Sequence, residues 1–288
     1  MAAKTLADLI AEVADRYGRY ATGTVDSGST TTIVDTAALY QPDDHWNGAY
    51  AYILTDAGGA SAAPEGEERP VSDFDQSTGT LTVLAAFTAA PAAGDTYELL
   101  PEQRATLKRA INAGVCSAAQ TWPVVAVDTT TITLASSDYD YTLPTDVLEL
   151  TTVWYRDDTD EAWKELPGRL YQVTGVPGAQ ELYLSSTGPF DAGDTLRLEY
   201  TKRVSELATD ASSLGVGEVV EAPLVEYVVE HALWWLHDRA SNRDEGRYRE
   251  HATSAQMHLE RANALKMAAR PYTRPGVIHG PVISRARG

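Results

Sequence analysis

Apolar positions recur at three- and four-residue spacing from residue 4 to 20. Leu6, Leu9, Ile10, Val13, Tyr17 and Tyr20 line one face, and Thr5 with Asp8 three residues on makes an Asp-bearing capping box, with Gly23 marking the exit. From 22 to 100 the pattern changes to short alternations between turn signals. TTTIVDTA, GAYAYIL, GTLTVL and DTYELL each predict a strand, separated by Pro42-Asp43-Asp44, Asp56-Ala57-Gly58-Gly59 and Pro64-Glu65-Gly66. Helical spacing returns over 101–122, where Leu107, Ile111, Gly114, Ala118 and Trp122 form a stripe opened by Pro101 and stopped by Pro123. A second alternating region, 124–200, predicts strands at TTTITLA, YDYTLP, DVLELTTVWY, RLYQVTG, ELYLS and DTLRLEY.

After a polar connector at 201–218, a helix begins near Pro223 and is apolar nearly all round to Ala240. Only Glu226, Glu230 and His237 form a polar stripe, which places this helix at the centre of a bundle. The last helix, about 244–269, repeats Tyr248, Ala252, Ala255, Leu259 and Ala262 as a heptad-like inter-helix seam built mostly of alanine. Pro271 ends it. The pattern therefore predicts an α+β chain: a four-helix bundle core, two inserted antiparallel β modules and an extended C-terminal tail. The expected segments are a first bundle helix (1–21), an acidic β insertion (22–100), a second helix (101–122), a second β module (123–205), a helical pair (206–270) and a basic tail (271–288).

A faint echo links the β regions: F-TAAPAA-GDTYEL from Phe87 and F-DA-GDTLRL from Phe190. Shared hairpin chemistry explains it, because a Gly-Asp pair is what a tight turn demands, and duplication is the alternative.

Charge adds an asymmetry. The formal net charge is −18, from 23 basic and 41 acidic residues. From Arg261 onward there are six basic residues and no acid, so the rest of the chain stands at −24. Residues 22–100 hold twelve acids against the single base Arg69. An acidic body repels nucleic-acid phosphate, which argues against sequence-reading DNA binding, and the basic end reads as an interaction segment. Fifteen Tyr and six Trp against three Phe favour half-buried strands and protein contacts over a dry core. One cysteine excludes an internal disulfide and fits a reducing compartment. MAAKTLADLI is expected to be neither a signal peptide nor a membrane span, and the protein is expected in the cytoplasm where it is made.

Catalytic candidates are few. Val25-Asp26-Ser27-Gly28-Ser29 carries the Asp-Ser-Gly of an aspartic protease, but one copy cannot pair two carboxylates, and a β-turn is the plainer reading. The histidines His45, His231, His237, His251, His258 and His279 offer no i, i+4 pair for a metal on a helix. They read as solvated or interface residues, with His237–Glu230 or His231–Glu226 left open as pairs across helices. Cys116 is expected as a buried, inert thiol on the inner side of its helix. No phosphate loop, dinucleotide fingerprint, nucleophile elbow or Cys/His pair is present. No cofactor or metal is expected.

Two constellations suit binding. Tyr40, His45, Trp46, Tyr50 and Tyr52 could form an aromatic platform for a sugar, although strand-face packing explains the same residues. In the tail, Arg270, Tyr272, Arg274, Ile278, Ile283, Arg285 and Arg287 mix basic and apolar anchors in a segment rich in Pro and Gly, which suits docking onto a partner.

The run from Tyr139 to Val147 (YDYTLPTDV), the strand LELTTVWYR, the Trp163 strand and LPGRLYQV together resemble phage neck proteins. So does the closing helical pair, with its ALWWL segment and alanine-rich last helix. The resemblance, over 101–270 and the first helix, is to the head-to-tail adaptor (connector) family of tailed bacteriophages. It implies a helical bundle with β elaborations, assembled as a twelve-fold homo-oligomeric ring beneath the portal in the virion neck. The C-terminal segment would dock on the portal protein, the other face would receive a stopper or tail protein, and double-stranded DNA would pass through the channel. No catalysis and no membrane are implied. A decoration or tail-tip protein, binding a surface or sugar through its Tyr/Trp-rich β module, is the alternative; a hydrolase using Asp26 is the third.

Overall fold

The computed structural model describes residues 4–58, 64–119, 124–130, 132–136, 138–157, 162–176, 179–188, 191–202, 206–212, 214, 222–242 and 247–268. Helix α1 spans Leu6–Tyr17 and opens with a complete capping box: Thr5 Oγ1 accepts from the Asp8 amide at 3.2 Å, and Asp8 accepts from the Thr5 amide at 2.9 Å. It ends earlier than the apolar spacing predicts. Gly18, at φ 120°, closes it by donating to the Ala14 and Asp15 carbonyls.

The first β module follows: β1 (Ala21–Thr24), β2 (Ser27–Ser29), β3 (Thr32–Val34), β4 (Tyr50–Thr55), β5 (Glu68–Asp75), β6 (Thr80–Val83) and β7 (Thr96–Leu100). They form one antiparallel sheet in the order β1-β7-β4-β5-β6-β3-β2. Its own core holds Val25, Ile33, Trp46, Ile53, Phe74, Leu81 and Tyr97 among others. Alternation along β4 divides its side chains: Ala51 and Ile53 enter this core, whereas Tyr50 and Tyr52 pack on the helices.

Helix α2 covers Arg104–Ala118, later than the Pro101 start predicted from sequence. The second module contains β8 (Val124–Asp128), β9 (Asp140–Thr142), β10 (Val147–Arg156), β11 (Lys164–Glu165), β12 (Tyr171–Val176), β13 (Ala179–Leu184) and β14 (Thr195–Lys202). One sheet runs β11-β10-β14-β8 and another β12-β13-β9, enclosing a core that includes Leu143, Val153, Leu166, Leu182, Leu196 and Leu198. Helices α3 (Ala222–Ser241) and α4 (Tyr248–Ala268) complete the described chain.

The expected four-helix bundle core is not what forms. Among the described residues the fold is α+β but rich in antiparallel strands, arranged in three sheets, and the apolar interior is divided among three clusters, two of them drawn from the β modules alone. The helical cluster joins α1, α2 and α3 with Leu100, Leu207 and Leu214, and among the described residues Ala262 is the one buried member it takes from α4. Helix α4 packs chiefly on α3. An alanine-rich face removes little apolar area from water, so α4 covers α3 without closing a bundle. The strands bury Val, Ile and Leu on every second position and build cores of their own.

The sequence echo has a structural counterpart. Gly94 (φ 98°) donates to the Val25 carbonyl, and the Val25 amide donates back to Asp95. Gly193 (φ 101°) and Asp194 make the same two bonds with Leu134, at 2.8 Å each. Both aspartates also turn a carboxylate back on the loop, Asp95 to the Ala92 amide at 2.8 Å and Asp194 to the Asp191 amide at 2.7 Å. In each module the strand after this turn is flanked by the first strand on one side and a long strand on the other: β1-β7-β4 and β8-β14-β10. The two modules share one plan at this corner.

Arg104 rivets the first module to the helices. Its guanidinium pairs with buried Glu98 on β7, reaches Asp210 at 3.0 Å and lies 4.5 Å over the Tyr52 ring. Its backbone amide donates to Glu68 on β5 at 2.6 Å. Burying that much charge is tolerable only because each group has a partner.

Candidate functional site: the helical face and the segment beyond it

The face of α4 turned towards α3 carries Ala255, His258 and Ala262 as buried residues, with Ala252, Leu259 and Leu265 half-buried. Of the predicted seam, only the Tyr248 side chain lies outside the described residues. Alanines bring the α4 backbone close to α3, and that proximity lets a polar cluster form which the seam pattern does not predict.

Its centre is Glu230 on α3, 3% exposed. Glu230 accepts from His258 Nδ1 at 2.7 Å and from Arg16 of α1 at 3.4 Å, and Arg261 of α4 stands 3.8 Å away. Arg16 also bridges Glu12 at 2.6 Å and Glu226 at 2.7 Å, so one network ties α1, α3 and α4 together. The Glu226 side chain lowers its own acid range by accepting from Arg16, and Arg16 is raised in return.

His237 lies beside this network in a stack of rings. Tyr17 is 4.7 Å away, His258 lies parallel at 5.5 Å, and Nδ1 of His237 meets Nδ1 of His251 at 3.2 Å. Burial first, then His258 and His251, hold His237 down to about 4. The pairings left open from sequence, His237–Glu230 and His231–Glu226, are replaced by His258–Glu230. Burial lowers His231, whose ring lies 4.9 Å from Trp234.

The remaining candidates separate. Asp26 is an exposed turn residue that accepts from the amide and hydroxyl of Thr36, both at 2.8 Å, which lowers its acid range. Cys116 is exposed, contrary to expectation, because the buried stripe of α2 runs through Leu107, Ala110, Ile111, Gly114, Val115 and Ala118, and position 116 falls off it. Its thiol is pushed up by burial and by Glu206 at 3.7 Å, the opposite of an activated nucleophile.

The aromatic platform disperses. Trp46 is 2% exposed, with its indole donating to Gln41 at 3.1 Å, Tyr50 and Tyr52 face the helices, and Tyr40 stands out in solvent. The Tyr97 hydroxyl, pushed well up by burial and Asp35, donates to Asp35 at 3.0 Å inside the first module.

Among the described residues, no three His, Cys, Asp or Glu side chains are placed to hold one metal ion, and no helix is long and apolar enough to cross a membrane. The tail candidates Arg270, Tyr272, Arg274, Ile278, Ile283, Arg285 and Arg287 lie outside the described residues. What the structure supplies is their point of attachment: α4 ends at Ala268, with half-buried Lys266 and exposed Met267 in its last turn.

A search of curated proteins finds no match. The sequence does match the family described as SU10 adaptor protein, over residues 78–279, which takes in the end of the first module, α2, the second module, α3, α4 and the start of the basic segment. That span is well over half of the chain, and the protein belongs to the SU10 adaptor family, an adaptor family of tailed phages.

Proposed function

We propose that this protein is the head-to-tail adaptor of a tailed-phage virion. It assembles as a homo-oligomeric ring, twelve-fold by its resemblance to connectors, in the neck below the portal. There it joins the portal to a stopper or tail protein and surrounds the path of double-stranded DNA, with no catalysis and no cofactor. The observation that carries this reading is the match to an adaptor family, which continues through α4 into the basic segment.

Physical chemistry supports each part. A body at −24 suits a channel past which DNA slides without sticking. Arg270, Tyr272, Arg274, Ile278, Ile283, Arg285 and Arg287 suit an acidic or apolar groove on a neighbouring ring, since charge steers the encounter and apolar anchors hold it. The α4 seam of Tyr248, Ala252, Ala255, Leu259 and Ala262 would serve to hold on α3 the helix that precedes that segment.

Electron microscopy of the purified chain, alone and mixed with portal, tests the ring. Particles that stay monomeric even with portal present overturn the reading. Deleting 271–288 tests the contact: rings should persist while portal binding weakens by at least about tenfold, the equivalent of one or two lost anchors. Portal binding that survives the deletion unchanged removes the tail from the interface.

A further inference from the structure

The imidazole stack between α3 and α4 is not called on by the proposed adaptor role, yet it is built into the contact between these two helices. Titratable and charged groups from three helices face it. From α1 come Glu12, Arg16 and the Tyr17 ring; from α3, Glu226 and Glu230; from α4, His251, His258 and Arg261. Among the described residues, the one carboxylate buried in the contact is Glu230, and Arg16 and His258 already use it. The described contacts of His237 are rings alone: Tyr17, His251 and His258.

At 3.2 Å, the facing Nδ1 atoms of His237 and His251 can share one proton as donor and acceptor. A further proton on His237 puts a cation against the His251 and His258 rings, where the neighbouring buried carboxylate, Glu230, is already engaged by Arg16 and His258.

We propose that the α3–α4 contact is an acid-sensitive clasp, in which protonation of His237 against His251 and His258 loosens α4 from α3 while both β modules stay folded. The β cores share no buried residue with this contact, so α4 can part from α3 without opening them. Burial and the neighbouring imidazoles, which hold His237 at about 4 rather than 6.5, supply the window. His237 is neutral in the folded contact, and the unfolded or released state binds the extra proton. The stabilisation is therefore complete above about 6.5 and is lost progressively as pH falls towards 4. This clasp rests on the helix contact and is independent of what the basic segment binds.

Hydrogen exchange of the full-length protein, corrected for the intrinsic effect of pH, reads the clasp directly. Between pH 7 and pH 5, amides of α4 should lose protection by about tenfold while those of β7 and β14 hold theirs. His237→Phe, which keeps a ring against Tyr17 but cannot take a proton, should flatten the α4 response. Level α4 protection in the wild type overturns the proposal. So does an equal loss in His237→Phe, or a loss in β7 and β14 in step with α4, which would be general acid unfolding. Should His237→Phe fail to fold, the imidazole titration of the wild type decides by nuclear magnetic resonance: a His237 midpoint well below 6.5 supports the clasp, and one near 6.5 overturns it.

Discussion

Replacing Arg104 with alanine should loosen the first β module from the helices. The Arg104 side chain is 11% exposed and its partner Glu98 only 4%, so removing the guanidinium strands a carboxylate with little access to water. Breaking a buried pair in this way costs about 3–5 kcal/mol. Loss of the cation over the Tyr52 ring, at 4.5 Å, adds roughly 1 kcal/mol. The bridge to Asp210 adds little, at most about 0.5 kcal/mol, because that carboxylate is 53% exposed and screened. The start of α2 should survive, since Glu68 accepts from the backbone amide of residue 104 whatever its side chain.

Urea unfolding followed by circular dichroism, on Arg104→Ala, Glu98→Gln and the double variant, measures the coupling. The double should be less destabilised than the two singles together by about 1–3 kcal/mol. Arg104→Met with Glu98→Leu should recover most of the loss, because a well-packed apolar pair often replaces a buried ion pair at no cost. A penalty under about 1 kcal/mol for Arg104→Ala, or strict additivity, would refute the idea that this pair rivets the module.

Two glycines carry further predictions. A Cβ at Gly114 would lie 2.9 Å from the Val228 carbonyl oxygen, so Gly114→Ala should push α2 off α3 and cost about 1–2 kcal/mol net of its helix-propensity gain, read from the shift in urea midpoint. At Gly23 a Cβ would fall 2.1 Å from Asp35 Oδ2 and 2.7 Å from the Tyr97 hydroxyl, so Gly23→Ala should break that buried bond and cost about 2–4 kcal/mol by thermal unfolding. Gly168→Ala, with nothing within 4 Å of its Cβ, is the control and should move stability by less than about 0.5 kcal/mol.

Periodicity made the four helices legible, along with β3, β4, β6, β7, β9, β10, β12, β13 and β14, each of which overlaps a predicted strand. Thr5 and Asp8 announced their capping box in the residues themselves. Strands β1 (ATGT), β2 (SGS) and β5 (ERPVSDFD) were not legible, because few apolar side chains mark them and their state depends on the partner that accepts their hydrogen bonds. TTTITLA has the alternation and still forms only an isolated bridge, Thr133 to Thr195.

The functional reading came from the resemblance of YDYTLPTDV, LELTTVWYR, the Trp163 strand, LPGRLYQV and the closing helical pair to phage adaptors, with the order of elements and the charge asymmetry in support. The polar cluster between α1, α3 and α4 did not. His258 and Glu230 are 28 residues apart, Arg16 and Glu226 are 210 apart, and no local spacing encodes either meeting. The sequence determined which segments are helical, which alternate, and where the basic end begins, because those follow from neighbours three or four residues away and from composition. Tertiary packing alone decided that the interior divides into three cores rather than one bundle. It also decided that His258 faces in, because burial depends on which surfaces meet.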